Sequence, residues 1–511
     1  MSEILKLLNG IVWGVPALVL ILGVGLILSL RTRFVQIKLL PRSFKLFFSR
    51  LGKGESCDGT VSAFQALCTA LAATVGTGNI AGVAGAIAIG GPGSIFWMWV
   101  CTLFGMVTKF AEAALAVRYR VRSGGEWVGG PMYMIHQGMG ERWKWLAGVY
   151  SFFGVVAAFG VGNATQINAV VSGLNQALAY CGRTTDLRSD LVIGIVMAVL
   201  VAAMLLGGAQ RIGRVAEYLV PFASVAYLLL GCGVLIVCRS QIPKAFSMIV
   251  EGAFSPHALT GGMVGSAVIA LRTGVSRGVF TNEAGMGTAS MAHASAAVEH
   301  PVEQGMMGIV EVFVDTILIC TMTALVILCS GVVIPYGTDP GAVLTAQAFA
   351  SVYGGWVTVF LAAALCCFAF ATVLGWGLYG IRCAQYLFGP GSYRFFALLQ
   401  AGVVVLGAVL ETRTVWLLSE IVNGLMAIPN LIALATLSPE LLRLLEEYKQ
   451  VSGRKSASGG STNENFNQRK PLRAVANAQV SPLGYGCQKA GKNNLPPEYR
   501  PTRFGDPSGL L

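Results

Sequence analysis

The sequence predicts an all-α, polytopic membrane protein with about eleven transmembrane helices, arranged as two five-span blocks of inverted topology with discontinuous helices. Three observations carry this. Of 511 residues, 55% are apolar and only 12% are charged, whereas soluble domains carry about 25% charged residues. Apolar runs long enough to cross about 30 Å of hydrocarbon recur along the chain. Two of these runs, at corresponding places in the two blocks, are interrupted by glycine and polar residues, the mark of a broken helix.

The candidate spans lie near 8–30, 61–89, 92–117, 146–180, 188–206, 214–238, 260–287, 305–333, 354–388, 394–411 and 414–438. The first has one Lys and one Glu before it and no small-residue cleavage site after it, so it reads as an uncleaved span. Residues 1–60 then form an extra helix and a basic cytoplasmic loop. Residues 61–238 form the first five-span block, 239–259 connect, and 260–438 form the second block. Five is odd, so the second block enters the membrane from the opposite side. Residues 439–511 are expected to be a cytoplasmic tail. From 448 onward it is polar and rich in Gly, Ser and Pro, the composition of a disordered segment.

Orientation follows the basic residues. Arg31, Arg33, Lys38, Arg42, Lys45, Arg50 and Lys53 crowd the first connection, and Arg118, Arg120, Arg122, Arg142 and Lys144 follow the third span. The alternate loops are poorer in charge. The N-terminus is then outside and the C-terminus inside. The net charge of +12 fits cytoplasmic retention of these loops better than nucleic-acid binding. The 12 cysteines show no CxxC pair or Cys/His cluster and read as small buried hydrophobes.

The first break is TVGTGNIAG, 74–82. Interrupting a helix in lipid frees backbone groups that must find partners. Amides at the head of the second half-helix suit a carboxylate. Carbonyls ending the first half, with the Asn79 side chain, suit a small hard cation. Gly78, Gly82 and Gly85 also fit a close-packed helix crossing, but the interruption in LRTGVSRGVFTNEAGMG, 271–287, favours a binding site. In the fourth span Gln166 shares a face with Gly162 and Asn163, and reads either as a substrate contact or as an interhelical hydrogen bond. FATVLGWGLYG, 370–380, is expected to break the ninth span. There Thr372 offers a hydroxyl to substrate or cation, and Trp376, one turn on, is placed to wall the pocket. Lys109 and Glu112 read as a structural ion pair. Glu283 and Asp315 are expensive at membrane depth and open to gating, cation attraction or structural roles. His293 is placed at the cytoplasmic edge and lacks partners for a metal site.

GGPGSIFWMWVCTLFG (90–105), GGPMYMI (129–135) and TNEAGMGTASMAHA (281–294) resemble the alanine or glycine:cation symporter family over about residues 10–440. Ser94 stands where Gly or Ala is expected. The resemblance implies the leucine-transporter fold of the amino acid-polyamine-cation superfamily, and a multi-pass protein of the bacterial inner membrane. It implies that the amides of Thr77 and Gly78 hold a substrate carboxylate. Asn79 and the Thr74 carbonyl would face one cation position, and the carbonyls of Ala72 and Val75 another. It also implies a small neutral amino acid as substrate, alanine or glycine, and sodium as the coupling ion, with no organic cofactor and no obligate protein partner. No HExxH, GxSxG, P-loop or Cys/His cluster appears, which argues against an enzyme or an ATP-driven pump. Proton coupling, and a channel or sensor built on the same fold, remain alternatives.

Overall fold

The computed structural model describes residues 12–52, 60–254, 267–410 and 412–457, together with residues 8 and 10. Helix α1 (Val15–Arg31) leads into an amphipathic helix, α2 (Leu40–Arg50). Part of the expected basic loop is therefore helical, and Arg50 reaches Glu303 at 3.4 Å. Strand β1 (Val61–Ser62) precedes α3 (Ala63–Thr74). A capping box starts α3: the Ser62 hydroxyl accepts the Gln65 N–H at 3.0 Å, and the Gln65 side chain accepts the Ser62 N–H at 3.3 Å. The chain then breaks and resumes as a π-turn, Gly78–Gly82, and α4 (Val83–Gly90), bent by 52° from α3. The long α5 (Gly93–Arg118) is followed by the hairpin β2 (Val121–Ser123) and β3 (Glu126–Val128). α6 (Lys144–Phe159) and α7 (Thr165–Tyr180) are joined through a π-turn at Gly160–Ala164 into one span. α8 (Leu187–Leu205), α9 (Gly208–Val237) and α10 (Ile242–Phe254) complete the first half.

In the second half, α11 (Ala267–Asn282) ends at an unwound stretch, and a short turn, Ser290–His293, leads to β4 (Ala296–Ala297). β4 pairs in parallel with β1, Val61 opposite Ala296, tying the entry of the first broken helix to the exit of the second. α12 (Pro301–Val312) passes through a π-helical stretch, Phe313–Cys320, into α13 (Thr321–Cys329). The short α14 (Ala342–Tyr353) precedes α15 (Val357–Phe388), α16 (Tyr393–Val409) and α17 (Thr412–Ala457).

Among the described residues, eight helices are long and apolar enough to cross a membrane, or nine with the bent pair counted as one span. The two other expected runs fall on α1, which has 17 residues, and on α11, which has 16 and follows residues outside the described set. The expected end of the last span at 438 is also revised. α17 continues to Ala457, with Leu441 and Leu444 buried, so the first part of the expected tail is helix; the rest lies outside the described residues.

The apolar surface divides the helices into two groups. Val199 of α8, Phe222 of α9 and Phe395 of α16 are 63%, 72% and 72% exposed, as lipid-facing residues are, whereas α5, α12 and α15 are largely buried. Lipid is as apolar as leucine, so helix association rests on close packing of small residues. This explains glycines that resemble breaks in the sequence. α15 is continuous through Gly375, Gly377 and Gly380. A Cβ on Gly375 would stand 2.8 Å from Ala73 Cβ, so this glycine lets α15 press against α3. Likewise α11 runs unbroken through Gly274 and Gly278, which lie against α5. The second break comes later, after Asn282. There Glu283, Gly285 and Gly287 take left-handed backbone angles (φ 53, 94 and 78°) that a helix cannot contain.

Candidate substrate and cation site

At the first break Val75 is extended, although its N–H still reaches the Leu71 carbonyl at 2.8 Å. The Gly76 N–H donates to Asn79 Oδ1 at 2.9 Å, so Asn79 closes the turn from within. Thr77 and Gly78 head the new half-helix, where amides lack a helical acceptor. The last turn of α11 packs here: a Cβ on Gly78 would stand 3.1 Å from the Thr281 methyl and 3.7 Å from the Phe280 ring.

Two of the expected residues, Gln166 and Thr372, converge on this turn from other helices. The Thr77 hydroxyl donates to Gln166 Oε1 at 3.2 Å, and Gln166 Nε2 donates to the Val161 carbonyl at 3.1 Å. A Cβ on Gly76 would stand 2.7 Å from Thr372 Oγ1 and 3.4 Å from Gln166 Oε1. The Thr372 hydroxyl donates to the Phe368 carbonyl at 3.0 Å and lies 3.5 Å from the Val75 carbonyl. Trp376, one turn further along α15, is buried where Gly162 leaves it room, since a Cβ there would overlap its own Cβ. Its ring centroid is 5.9 Å from that of Tyr379.

Ala72, Thr74 and Val75, the expected carbonyl ligands of a cation, are buried. The Thr74 hydroxyl turns back to the Ala70 and Leu71 carbonyls, each at 3.3 Å, so its part in the turn is a backbone one. The residue that sequence reasoning left unplaced is Asp315. Asn79 Nδ2 donates to Asp315 Oδ1 at 2.7 Å and to its carbonyl oxygen at 3.2 Å. Asp315 Oδ2 accepts the Thr316 hydroxyl at 2.8 Å, and Thr316 Oγ1 accepts from Asn282 Nδ2 at 3.2 Å. One buried carboxylate thus links the first break to the residue that precedes the second. The signal in the sequence was its cost at membrane depth; its partner lies 236 residues away.

A cavity of about 500 Å³ runs from Thr77 and Gly78, past Asn168 and Phe280, to Arg277 and Asp339. At its mouth Arg277 Nη1 lies 3.2 Å from Glu420 Oε1, and Nη2 lies 3.6 Å from Asp339 Oδ2. Asn79, Gln166, Thr372 and Trp376 are buried and are not part of this lining. Lys109 is not simply paired with Glu112. Its Nζ is 3.9 Å from Glu112 Oε2 but 3.4 Å from Glu311 Oε1. His293, expected at the cytoplasmic edge, is fully buried against Glu311.

Residues 1–461 match the model of the sodium:alanine symporter family. The chain belongs to this family. It is 42% identical over 456 residues to the sodium/alanine symporter AgcS of Methanococcus maripaludis, covering 88% of this chain and 97% of that protein. It is also 42% identical to an uncharacterized transporter of Haemophilus influenzae, covering 88% and 96%. Among solved structures it resembles the crystal structure of MhsT in complex with L-phenylalanine. That match has a TM-score of 0.55 at 14% identity, over 75% of this chain and 90% of the other. It shows the fold, which is that of the leucine transporter. The family and these relatives are transporters, not enzymes, and the protein is a multi-pass membrane protein of amino-acid–cation symport.

Proposed function

We propose that the protein imports a small neutral amino acid, alanine or glycine, with sodium, by alternating access across a bacterial inner membrane. The observation that carries this reading is the meeting of two broken helices beside a buried carboxylate, Asp315, whose side-chain partners, Asn79 and Thr316, are both neutral. An ionised carboxylate at membrane depth calls for a compensating charge. A monovalent cation held by the carbonyls of Ala72, Thr74 and Val75, the Asn79 oxygen and Asp315 supplies it. Thr372 Oγ1, beside the Val75 carbonyl, joins this set. The substrate carboxylate docks on the amides of Thr77 and Gly78. Gln166 orients the zwitterion, and Trp376 limits its side chain. The Arg277 ion pairs gate the mouth of the cavity on the outer side, given an external N-terminus and a cytoplasmic C-terminus. The repeats span 61–238 and 260–438 in this reading. AgcS is named a sodium/alanine symporter, which supports both assignments.

The test is accumulation of labelled alanine and glycine in proteoliposomes under an inward sodium gradient. Concentrative uptake is expected with sodium and not with choline. Equal uptake in both removes sodium coupling.

A further inference from the structure

The chain bends sharply between α1 and α2. Exposed apolar side chains continue along α1 through Leu26, Ile27 and Leu30, so this helix faces lipid up to its last turn, which Arg31 closes. Arg33 and Phe34 then take left-handed angles (φ 56 and 58°), which residues other than glycine rarely adopt. The bend is pinned from within: the Phe34 N–H donates to the Ser29 carbonyl at 2.7 Å, and the buried Gln36 amide donates to the Ser29 hydroxyl at 2.8 Å. The chain thus turns where the lipid-facing surface of α1 ends, at the depth of the headgroups.

α2 has two faces. On the packed face the Phe44 ring meets Phe313 edge-on, with centroids 5.2 Å apart, Phe47 lies 5.9 Å from Phe64, and Arg50 pairs with Glu303 at 3.4 Å. Phe313 stands two residues before Asp315, and Phe64 lies in the first turn of α3, so this face rests on both elements that lead to the candidate site. The other face is basic. A helical turn, Val35–Lys38, joins α2 through Leu39, whose backbone stays right-handed. Lys38, Arg42 and Lys45 follow at spacings of four and three and are exposed, as is Arg33 in the bend. Among the described residues none of these four has an ion-pair partner, whereas Arg50 on the packed face has one. Beside the cations run Ile37, Pro41 and Phe48, at spacings of four and seven, and Ile37 and Phe48 are 52% and 67% exposed. A soluble acidic partner would meet the cations and leave these apolar side chains in water. A phospholipid covers both, as it does for other interfacial basic helices.

We propose that the bend after α1 and the outer face of α2 form a binding site for an anionic phospholipid. Its headgroup phosphate lies on Arg33, Lys38, Arg42 and Lys45, and its acyl chains lie on Ile37, Phe48 and the exposed face of α1. Bound lipid holds α2 against Phe313 and Phe64, and so braces the helices that carry Asp315 and the first break. The site stands independently of the symport reading above.

The test is lipid titration of the purified full-length protein in detergent, read by native mass spectrometry, with phosphatidylglycerol and phosphatidylcholine as the probes. The wild type should bind phosphatidylglycerol more tightly than phosphatidylcholine. Arg42→Gln/Lys45→Gln should weaken phosphatidylglycerol binding about 25-fold, about fivefold for each cation near the surface, and leave phosphatidylcholine binding unchanged. Arg42→Lys/Lys45→Arg keeps both charges and should retain the affinity. Arg214→Gln/Arg394→Gln, which removes exposed cations of α9 and α16, should leave it close to wild type. Phosphatidylglycerol should also raise the thermal denaturation temperature of the wild type and not that of Arg42→Gln/Lys45→Gln. If the double variant does not fold, Lys45→Gln alone, with a loss of about fivefold, decides the matter. A wild type without preference for phosphatidylglycerol, or an equal loss in the Arg214/Arg394 pair, overturns the site. So does a patch that binds heparin, as a soluble polyanion, but not phosphatidylglycerol. None of these readouts requires transport, so a failure of sodium-driven uptake leaves them unaffected.

Discussion

Replacing Gly76 with alanine tests whether the first break is built around α15. The added methyl would stand 2.7 Å from Thr372 Oγ1, where ordinary van der Waals contact begins at 3.4 Å. The overlap is thus 0.7 Å (3.4 − 2.7) against an atom held at 3.0 Å by the Phe368 carbonyl. Overpacking of this kind is destabilising by about 1–3 kcal/mol. Gly76 is not among the glycines with positive φ, so backbone strain adds nothing. The relief is specific. Thr372→Ala removes Oγ1 and leaves its Cβ 3.7 Å from the new methyl, an ordinary contact. Gly76→Ala alone should therefore be destabilised, and the Gly76→Ala/Thr372→Ala pair should recover most of the loss, with a coupling of about 1–2 kcal/mol of opposite sign. The assay is thermal denaturation of the four proteins in detergent, followed by size-exclusion chromatography. A Gly76→Ala protein as stable as wild type, or one that Thr372→Ala does not relieve, refutes the packing argument.

Two further substitutions probe the site itself. Asp315→Asn keeps the shape and removes the charge beside Asn79; the sodium concentration for half-maximal alanine uptake should rise about tenfold or more, ~1.4 kcal/mol, and an unchanged value would return Asp315 to a structural role. Trp376→Ala should shift selectivity toward valine and leucine relative to alanine, by about 1–3 kcal/mol per added methylene accommodated. Competition of labelled alanine uptake by a size series of neutral amino acids reads this, and an unchanged ranking in a well-expressed variant removes Trp376 from the pocket wall.

The first break was legible because Gly76, Gly78 and Asn79 interrupt an apolar run where nothing in a plain helix needs them. The second was legible as a region and misplaced within it. Gly274 and Gly278 carry the same signal in sequence but serve packing against α5, while the turn itself depends on Glu283, Gly285 and Gly287. Gly375, Gly377 and Gly380 misled for the same reason: a glycine that admits a neighbouring backbone and one that ends a helix look alike in one dimension. Buried charge was legible as a cost but not as a contact. Asp315 stood out in the sequence, whereas Asn79 as its partner, and Glu311 as the nearer partner of Lys109, follow only from the way α5, α12 and the two breaks come together. The strand pair β1–β4, two residues long on each side, left no pattern to read.

The central claim is that one site, formed where the first break packs against the end of α11, holds an amino acid and a cation together. The most direct measurement is alanine binding to the purified protein by calorimetry, with sodium varied at constant ionic strength, and sodium binding with alanine varied. By linkage, whatever factor each ligand changes the other's affinity by must be the same for both. The account predicts that alanine binds more tightly as sodium rises, that sodium binds more tightly as alanine rises, and that the two factors agree. Alanine affinity that is the same in sodium and in choline would contradict it.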